Sequence, residues 1–435
     1  MIKGYIKQAW TMMRQNKLFT SIYVAGTGLS IAFTMVLFII YYVKFAPVYP
    51  EYNRDRTLVL KYMKASLKDN EKAYGTSAVS YEVVKMLKGL PHLDKVGAIS
   101  INEGSWSPTT VTLPENQEQM PVAVGFVDTG FWDVFTFRFL YGKPFTEAEV
   151  ESNLPVVILT ESIAQRIFAT TDAVGKYLNC DGNDLKVCGV VADVSNATPA
   201  TSANIYVPIH FKGENKPNPH AFGLTGGVQI YMTAPTPDDM KALQTEVEDV
   251  FNRHNQQDTR FTNHLMGQPD EWWKSTFRTN STNEPDLKGI IRSILYMLCA
   301  LLFIPAMNLC GMISSRMDER MSELGVRKAY GANNAGLLTQ VLCENLLLTI
   351  IGGLAGLAIA YLIALTGGQW VLQLFNEGIS IPTLLPTYLT VEMLFNPTLF
   401  GIVFALCVLL NLISALVPTL IALRRPIIQS IQTKR

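Results

Sequence analysis

The chain has 435 residues, with 36 Lys and Arg against 36 Asp and Glu and a formal net charge of zero. That length leaves room for more than one domain, and the neutral balance removes the electrostatic reason to expect a nucleic-acid partner. Hydrophobic residues make up 49% and charged residues 17%, and the apolar ones are gathered into long runs, which marks a membrane protein rather than a soluble one.

Crossing a hydrocarbon core takes about 20 apolar residues. Four stretches reach that length, 18–43, 293–315, 335–365 and 397–423. Ahead of the first, MIKGYIKQAWTMMRQNK (1–17) sets Ile2, Tyr5, Ile6, Ala9, Met12 and Met13 at helical spacing among basic residues. This pattern suits an amphipathic helix lying on anionic headgroups, and a plain basic topogenic tail has the same composition. The first span is too long for a signal peptide and no small-residue cleavage site follows it, so it reads as an uncleaved anchor. Its Ala25, Gly26, Gly28, Ser30 and Ala32 allow another helix to approach closely in lipid.

Residues 45–287 read as mixed α and β. Residues 57–63 alternate as a strand does, 80–88 have helical apolar spacing, 122–127 form a strand and 161–168 a short helix. The stretch VGKYLNCDGNDLKVCGVV (174–191) is two alternating runs around turn-forming residues, a β-hairpin. Cys180 and Cys188 flank that turn, so either a cross-hairpin disulfide or two free thiols is open; Cys299, Cys310, Cys343 and Cys407 lie in spans. A strand at 228–233 and an amphipathic helix at 237–254 close the segment. Strand–helix–strand over 57–104 and strand–helix over 225–265 form two halves of one unit, with a β-rich insertion at 105–224. Lys288 and Arg292 precede the second span, which predicts that its helix (288–315) continues above the bilayer as a stalk.

Between the second and third spans lies RMDERMSELGVRKAYGA (316–332). Met317, Met321 and Leu324 share one helical face while the charges form separate stripes. Gly331 is placed to end a helix and Asn333 or Asn334 to begin the next. On periodicity alone the stretch is a short amphipathic helix at a membrane surface or a charged loop. Span three carries Gly352, Gly356, Ala360 and Ala364 at four-residue intervals, a close-packing ridge. Glu344 sits near its start, either a functional intramembrane carboxylate or an interfacial one paired with Arg or Lys. The loop 366–396 contains no Lys or Arg, whereas 1–17, 316–332 and the tail 424–435 are basic. The positive-inside rule then places both termini and 316–332 in the cytoplasm and 45–287 outside.

The chain carries no GxxxxGK[ST] phosphate loop, no HExxH or other metal spacing among its five histidines and no GxSxG elbow. No catalytic residue and no metal site are therefore assigned. Any work that this protein does is expected to draw its energy from a partner.

The order of one span, a large exterior domain, three spans and a charged helix after span two, together with ERMSELGVRKAYGA, resembles the FtsX/MacB-type permeases of ABC transporters. That family reads approximately ER-x-(basic)-E-I-G-I-R-x-A-x-G-A at this place; Ser322 stands where a basic residue is usual. VGFVDTGFWDVFTFRFLYGKPF, the 174–191 hairpin and NIYVPI are similar to phrases of the family's periplasmic domain. The resemblance implies an α-helical membrane protein with four transmembrane helices and a large α+β extracytoplasmic domain, porter-like with an inserted β-rich subdomain. It implies mechanotransmission, in which a separate ABC ATPase binds ATP and Mg and this chain binds no cofactor. Glu319, Arg320, Glu323 and Arg327 would make charged contacts with that ATPase. Met321 and Leu324 would fill its groove, and Gly325 and Gly331 belong to the same ATPase-coupling set. A homodimer or a heterodimer with a related permease in a bacterial inner membrane is expected, with a periplasmic adaptor as a further candidate partner. A regulator that activates a cell-wall hydrolase instead of moving a substrate is the competing function.

Overall fold

The computed structural model describes residues 10–11, 13–15, 17–101, 109–113, 118–213, 221–300, 303, 326–373 and 397–424. They form two compact units, one helical and one of mixed α and β structure.

The helical unit is built on α1 (Lys17–Phe45) and two later long helices spanning Asn334–Gln373 and Pro397–Arg424. Among the described residues, three helices are long and apolar enough to cross a membrane, at Thr20–Phe45, Asn334–Gly367 and Phe400–Ile421. Residues 287–300 are also helical. Most of the expected second span, with Pro305, Asn308 and Gly311, lies outside the described residues, as do the loop after residue 373 and the tail beyond 424. Hydroxyls inside these helices bond back to the carbonyl four residues earlier, as in Ser30 Oγ to Gly26 O (2.7 Å), Thr34 Oγ1 to Ser30 O (2.9 Å) and Thr419 Oγ1 to Ala415 O (2.7 Å). A hydroxyl satisfied within its own helix no longer needs water, so it fits an apolar solvent.

The exterior segment folds around one large sheet. Its strands are β1 (Thr57–Leu60), β4 (Lys95–Ile101), β5 (Thr110–Thr112), β6 (Gln119–Pro121), β7 (Val124–Val127), β8 (Phe139–Gly142), β9 (Val156–Thr160), β10 (Tyr177–Cys180), β11 (Asn183–Val191), β12 (Ile205–Pro208), β14 (Gln229–Thr233) and β16 (Asp270–Glu271). They run in the order β16-β1-β14-β4-β7-β12-β9-β11-β10-β5-β6, with β8 on β11. A second sheet holds β2 (Met63–Leu67), β3 (Asn70–Val79), β13 (Thr225–Gly226) and β15 (Phe261–His264).

The two ends of the segment meet in the first sheet. Strand β14 lies between β1 and β4, antiparallel to both. Helices α2 (Glu82–Leu87) and α6 (Met240–Gln257) cover it, burying Val83, Val84 and Leu87 with Leu243, Val247 and Phe251 against Leu58, Leu60, Ile230 and Met232. Sheet pairing continues from β4 to β7, so one sheet runs across the boundary drawn near residue 105. The helix read at 161–168 is α5 (Glu161–Phe168), whose Ile163, Ala164 and Ile167 pack on β9 and β11; the short helices α4 (Glu147–Glu151) and α7 (Trp272–Ser275) complete the segment.

The hairpin of β10 and β11 turns on Asp181 and Gly182, both at positive φ (47° and 83°), which is the mirror-image turn that two-residue hairpins favour. This register corrects the disulfide expectation. Cys180 pairs with Asn183, and Cys188 lies five residues farther along β11, roughly 17 Å away at the strand rise, whereas a disulfide needs Cα atoms within about 7 Å. Both are free thiols, and burial pushes each up to about 12, so neither is a thiolate nucleophile at neutral pH.

Helix α3 (Thr129–Val134) begins at Asp128, whose Oδ1 accepts from Phe131 N and from Ala98 N of β4, each at 2.9 Å. Glycines make that crossing fit: a Cβ on Gly97 would stand 2.5 Å from Phe131 N. Burial pushes the Asp128 carboxyl up to about 6, with the two amide donors pulling the other way. A carboxyl raised above its unfolded value of 3.8 stabilises the fold fully below that pH and loses the contribution as pH rises toward 6. The exterior domain should therefore lose about 2 kcal/mol of stability between pH 4 and pH 6 from this group. Asp128→Asn, which keeps the acceptor oxygen, should flatten that slope in denaturant titrations at several pH values. An unchanged slope would assign the pH dependence elsewhere.

Candidate functional site

The charged segment after span two is described from Val326 onward. Glu319, Arg320, Met321, Glu323, Leu324 and Gly325 lie outside the described residues; Arg327 and Gly331 are within them. Residues 326–329 are helical, and Gly331 closes the turn at φ +88°. Its N–H returns to Lys328 O (3.0 Å) and that of Ala332 to Arg327 O (3.0 Å). Only glycine takes that left-handed conformation without strain, so the stop is written in the sequence. Helix α8 (Asn334–Gln373) starts immediately afterwards, with Asn333 Oδ1 accepting from Ala335 N at 3.2 Å.

The segment is tied to its own chain at two points. Arg327 Nη1 donates to Gln340 Oε1 (2.8 Å), and Gln340 Nε2 donates to Glu344 Oε1 (3.3 Å). Glu344 is only 3% exposed, so this string gives a buried carboxylate a donor and leads through Gln340 to a cation. Lys328 Nζ donates to Leu423 O, near the end of helix α9 (Pro397–Arg424), where carbonyls lack intrahelical donors and a cation complements the helix dipole. Arg327 and Lys328 thus reach inward to α8 and α9. Val326 and Tyr330 do the opposite. They are 46% and 89% exposed and lie four apart, an outward apolar pair that the charge pattern of the segment obscured and that i,i+4 spacing could have found.

The ridge on α8 sits against α1. A Cβ on Gly28 would stand 3.0 Å from Gly352 O, one on Gly352 would stand 3.1 Å from Thr27 Cβ, and Gly356 opposes Gly28 backbone to backbone. Tyr23 Oη and Thr349 Oγ1 are 3.4 Å apart across the same contact. Ala360 and Ala364 are buried, and Gly353 receives the Phe404 ring of α9. Close backbone approach is what small residues supply in lipid, where dispersion replaces the hydrophobic effect as the association force. Among the described residues, no group of three or more His, Cys, Asp or Glu side chains could hold a metal ion.

Tightly packed apolar helices, a charged turn bonded to two of them and a large α+β domain are the parts of a multi-span membrane protein. Residues 20–250 match the MacB-like periplasmic core domain, and residues 295–427 match the FtsX-like permease C-terminal. The chain belongs to the FtsX/MacB family of ABC transporter permeases. It is 23% identical over 308 residues to the uncharacterized ABC transporter permease YknZ of Bacillus subtilis, covering 70% of this chain and 72% of YknZ. It is 28% identical over 279 residues to the macrolide export ATP-binding/permease protein MacB of Mannheimia succiniciproducens, covering 63% of this chain but 39% of that one. A crystal structure of the extracellular domain of YknZ is similar at 17% identity and a TM-score of 0.34, covering 47% of this chain and 99% of that domain. The chain thus spans well under half of the matched fused ATP-binding/permease relative.

Proposed function

We propose that this chain is the permease subunit of an inner-membrane ABC transporter in which a separate ATPase binds ATP and Mg and this chain turns their work into motion of its exterior domain. Such motion would drive export or extraction of a substrate from the periplasmic side. The observation that carries the reading is the two-point attachment at the end of the charged segment. A push on a turn bonded to both α8 and α9 displaces those helices, whereas a push on a free loop is lost as loop motion. Val326 and Tyr330 face outward, and we assign them to contact with the ATPase together with Glu319, Arg320, Met321, Glu323 and Leu324. Arg327 acts from the inner side, where it holds the turn against Gln340.

Truncating one partner of a buried, hydrogen-bonded charge pair at an interface costs about 2–5 kcal/mol. Glu323→Ala should accordingly weaken co-purification of the ATPase about tenfold or more. Arg327→Ala should leave binding in place and uncouple ATP hydrolysis from the transport-linked phenotype. Normal membrane levels of both variants make the comparison valid. Wild-type coupling in both would overturn the assignment.

A further inference from the structure

A helix leaves its last four carbonyls without intrahelical donors, and where such an end is buried something else must supply them. Helix α1 ends at Phe45, and the exterior domain supplies its donors. Arg54 Nη1 donates to Val43 O (2.5 Å) and to Ala46 O (2.8 Å), and Trp272 Nε1 donates to Lys44 O (3.3 Å). Arg54 is 3% exposed. Its Nε donates to Glu51 Oε2 (2.8 Å) and Nη2 reaches the same oxygen. The other Glu51 oxygen accepts from Thr201 Oγ1 (2.9 Å). The guanidinium lies 4.9 Å from the centroid of the Trp272 ring, and the Phe45 and Phe277 rings are 5.8 Å apart. Segments far apart in sequence therefore converge on one helical turn.

Stability alone does not call for this arrangement. A buried ion pair loses as much in desolvation as it gains in attraction, and well-packed apolar residues would serve equally well. What apolar packing lacks is direction. A planar guanidinium with donors aimed at two carbonyls and a carboxylate fixes both the rotation and the height of the helix end.

We propose that Arg54 is a positioning residue, which locks the last turn of α1 into the exterior domain so that axial or rotational displacement of that helix reaches the domain without slip. This rests on the motor reading above. The buried Glu51–Arg54 pair is the joint, and Trp272 is its second bond.

The test uses the full chain in nanodiscs with the ATPase that it retains on purification, followed by hydrogen exchange with and without ATP. Glu51→Gln combined with Arg54→Met removes both charges, so no unpaired buried ion is left to unfold the domain. Trp272→Phe, which keeps the ring and deletes only the bond to Lys44 O, is the milder probe. In wild type, ATP should change exchange both at 326–344 and in the exterior domain. In the double variant the response at 326–344 and the ATPase rate should persist, while the exterior response falls about tenfold. The Trp272 variant should fall between the two. An exterior response in both variants equal to wild type overturns the joint and leaves the motor reading standing. A wild-type protein without any ATP-dependent exterior response overturns the motor reading and the joint with it.

Discussion

Arg54→Ala should destabilise the exterior domain by about 3–5 kcal/mol, the usual cost of removing one member of a buried pair. Glu51 would remain 1% exposed with Thr201 Oγ1 as its remaining donor from the present set. The carbonyls of Val43 and Ala46 would lose their donors as well. Small domains have only about 5–15 kcal/mol of stability in total, so this single truncation removes a large share. The paired change Glu51→Gln with Arg54→Met should be far milder, because no charge is then stranded. Denaturant titration of the full chain, read by exchange at the β1 and β14 amides, measures both. A loss below about 1 kcal/mol for Arg54→Ala would mean that water reaches the pair and that it is not a buried one.

Arg278→Ala should cost a similar amount, about 3–5 kcal/mol, near the C-terminal end of the exterior segment. Arg278 and Asp270 are both buried; Nε donates to Asp270 Oδ2 (2.5 Å) and Nη2 to Oδ1 (3.0 Å), a bidentate pair. The same guanidinium also donates to Asn283 O (3.0 Å) and Met266 O (3.1 Å). It thereby fastens the residues that leave the domain to edge strand β16 next to β1. Arg278→Lys should recover little, since an ammonium cannot reproduce the parallel fork or reach both carbonyls at once. The contrast is Lys88 with Glu147, 3.5 Å apart and 55% and 67% exposed. Lys88→Ala there should change stability by less than about 1 kcal/mol. Equal losses at Arg278 and Lys88 in the same titration would contradict the weight given to burial.

These two arginines also mark the limit of what the sequence discloses. Local pattern sufficed where the information is local. The apolar positions of 161–168 specify α5 to the residue, the Asp181-Gly182 turn specifies the hairpin, Gly331 specifies the stop before α8, and the family phrases specify the permease. Arg54 and Arg278 look like ordinary charged loop residues, because their partners (Val43, Ala46 and Trp272; Met266, Asp270 and Asn283) carry no periodic signal. The same holds for the sheet. The alternation of 57–63 and of 228–233 predicts two strands, but only pairing across more than 160 residues reveals them as neighbours. In the charged segment, the charge pattern singles out Arg327 as a candidate coupling cation. Its direction was not, since Gln340 lies beyond the helix break at Gly331. The disulfide expectation failed on register, because flanking a turn places two cysteines near one another only if they are paired across it.

The motor reading places the energy source in a separate ATPase that acts through the 316–332 segment. Affinity purification of the tagged full chain from native membranes, with ATP hydrolysis measured on the eluate, is the decisive experiment. The expected eluate holds an ABC ATPase in stoichiometric amount, with ATP hydrolysis that disappears together with that ATPase when Glu323→Ala is purified in the same way. An eluate with no ATPase chain, or hydrolysis that stays with the permease after the ATPase is removed, would overturn the motor reading.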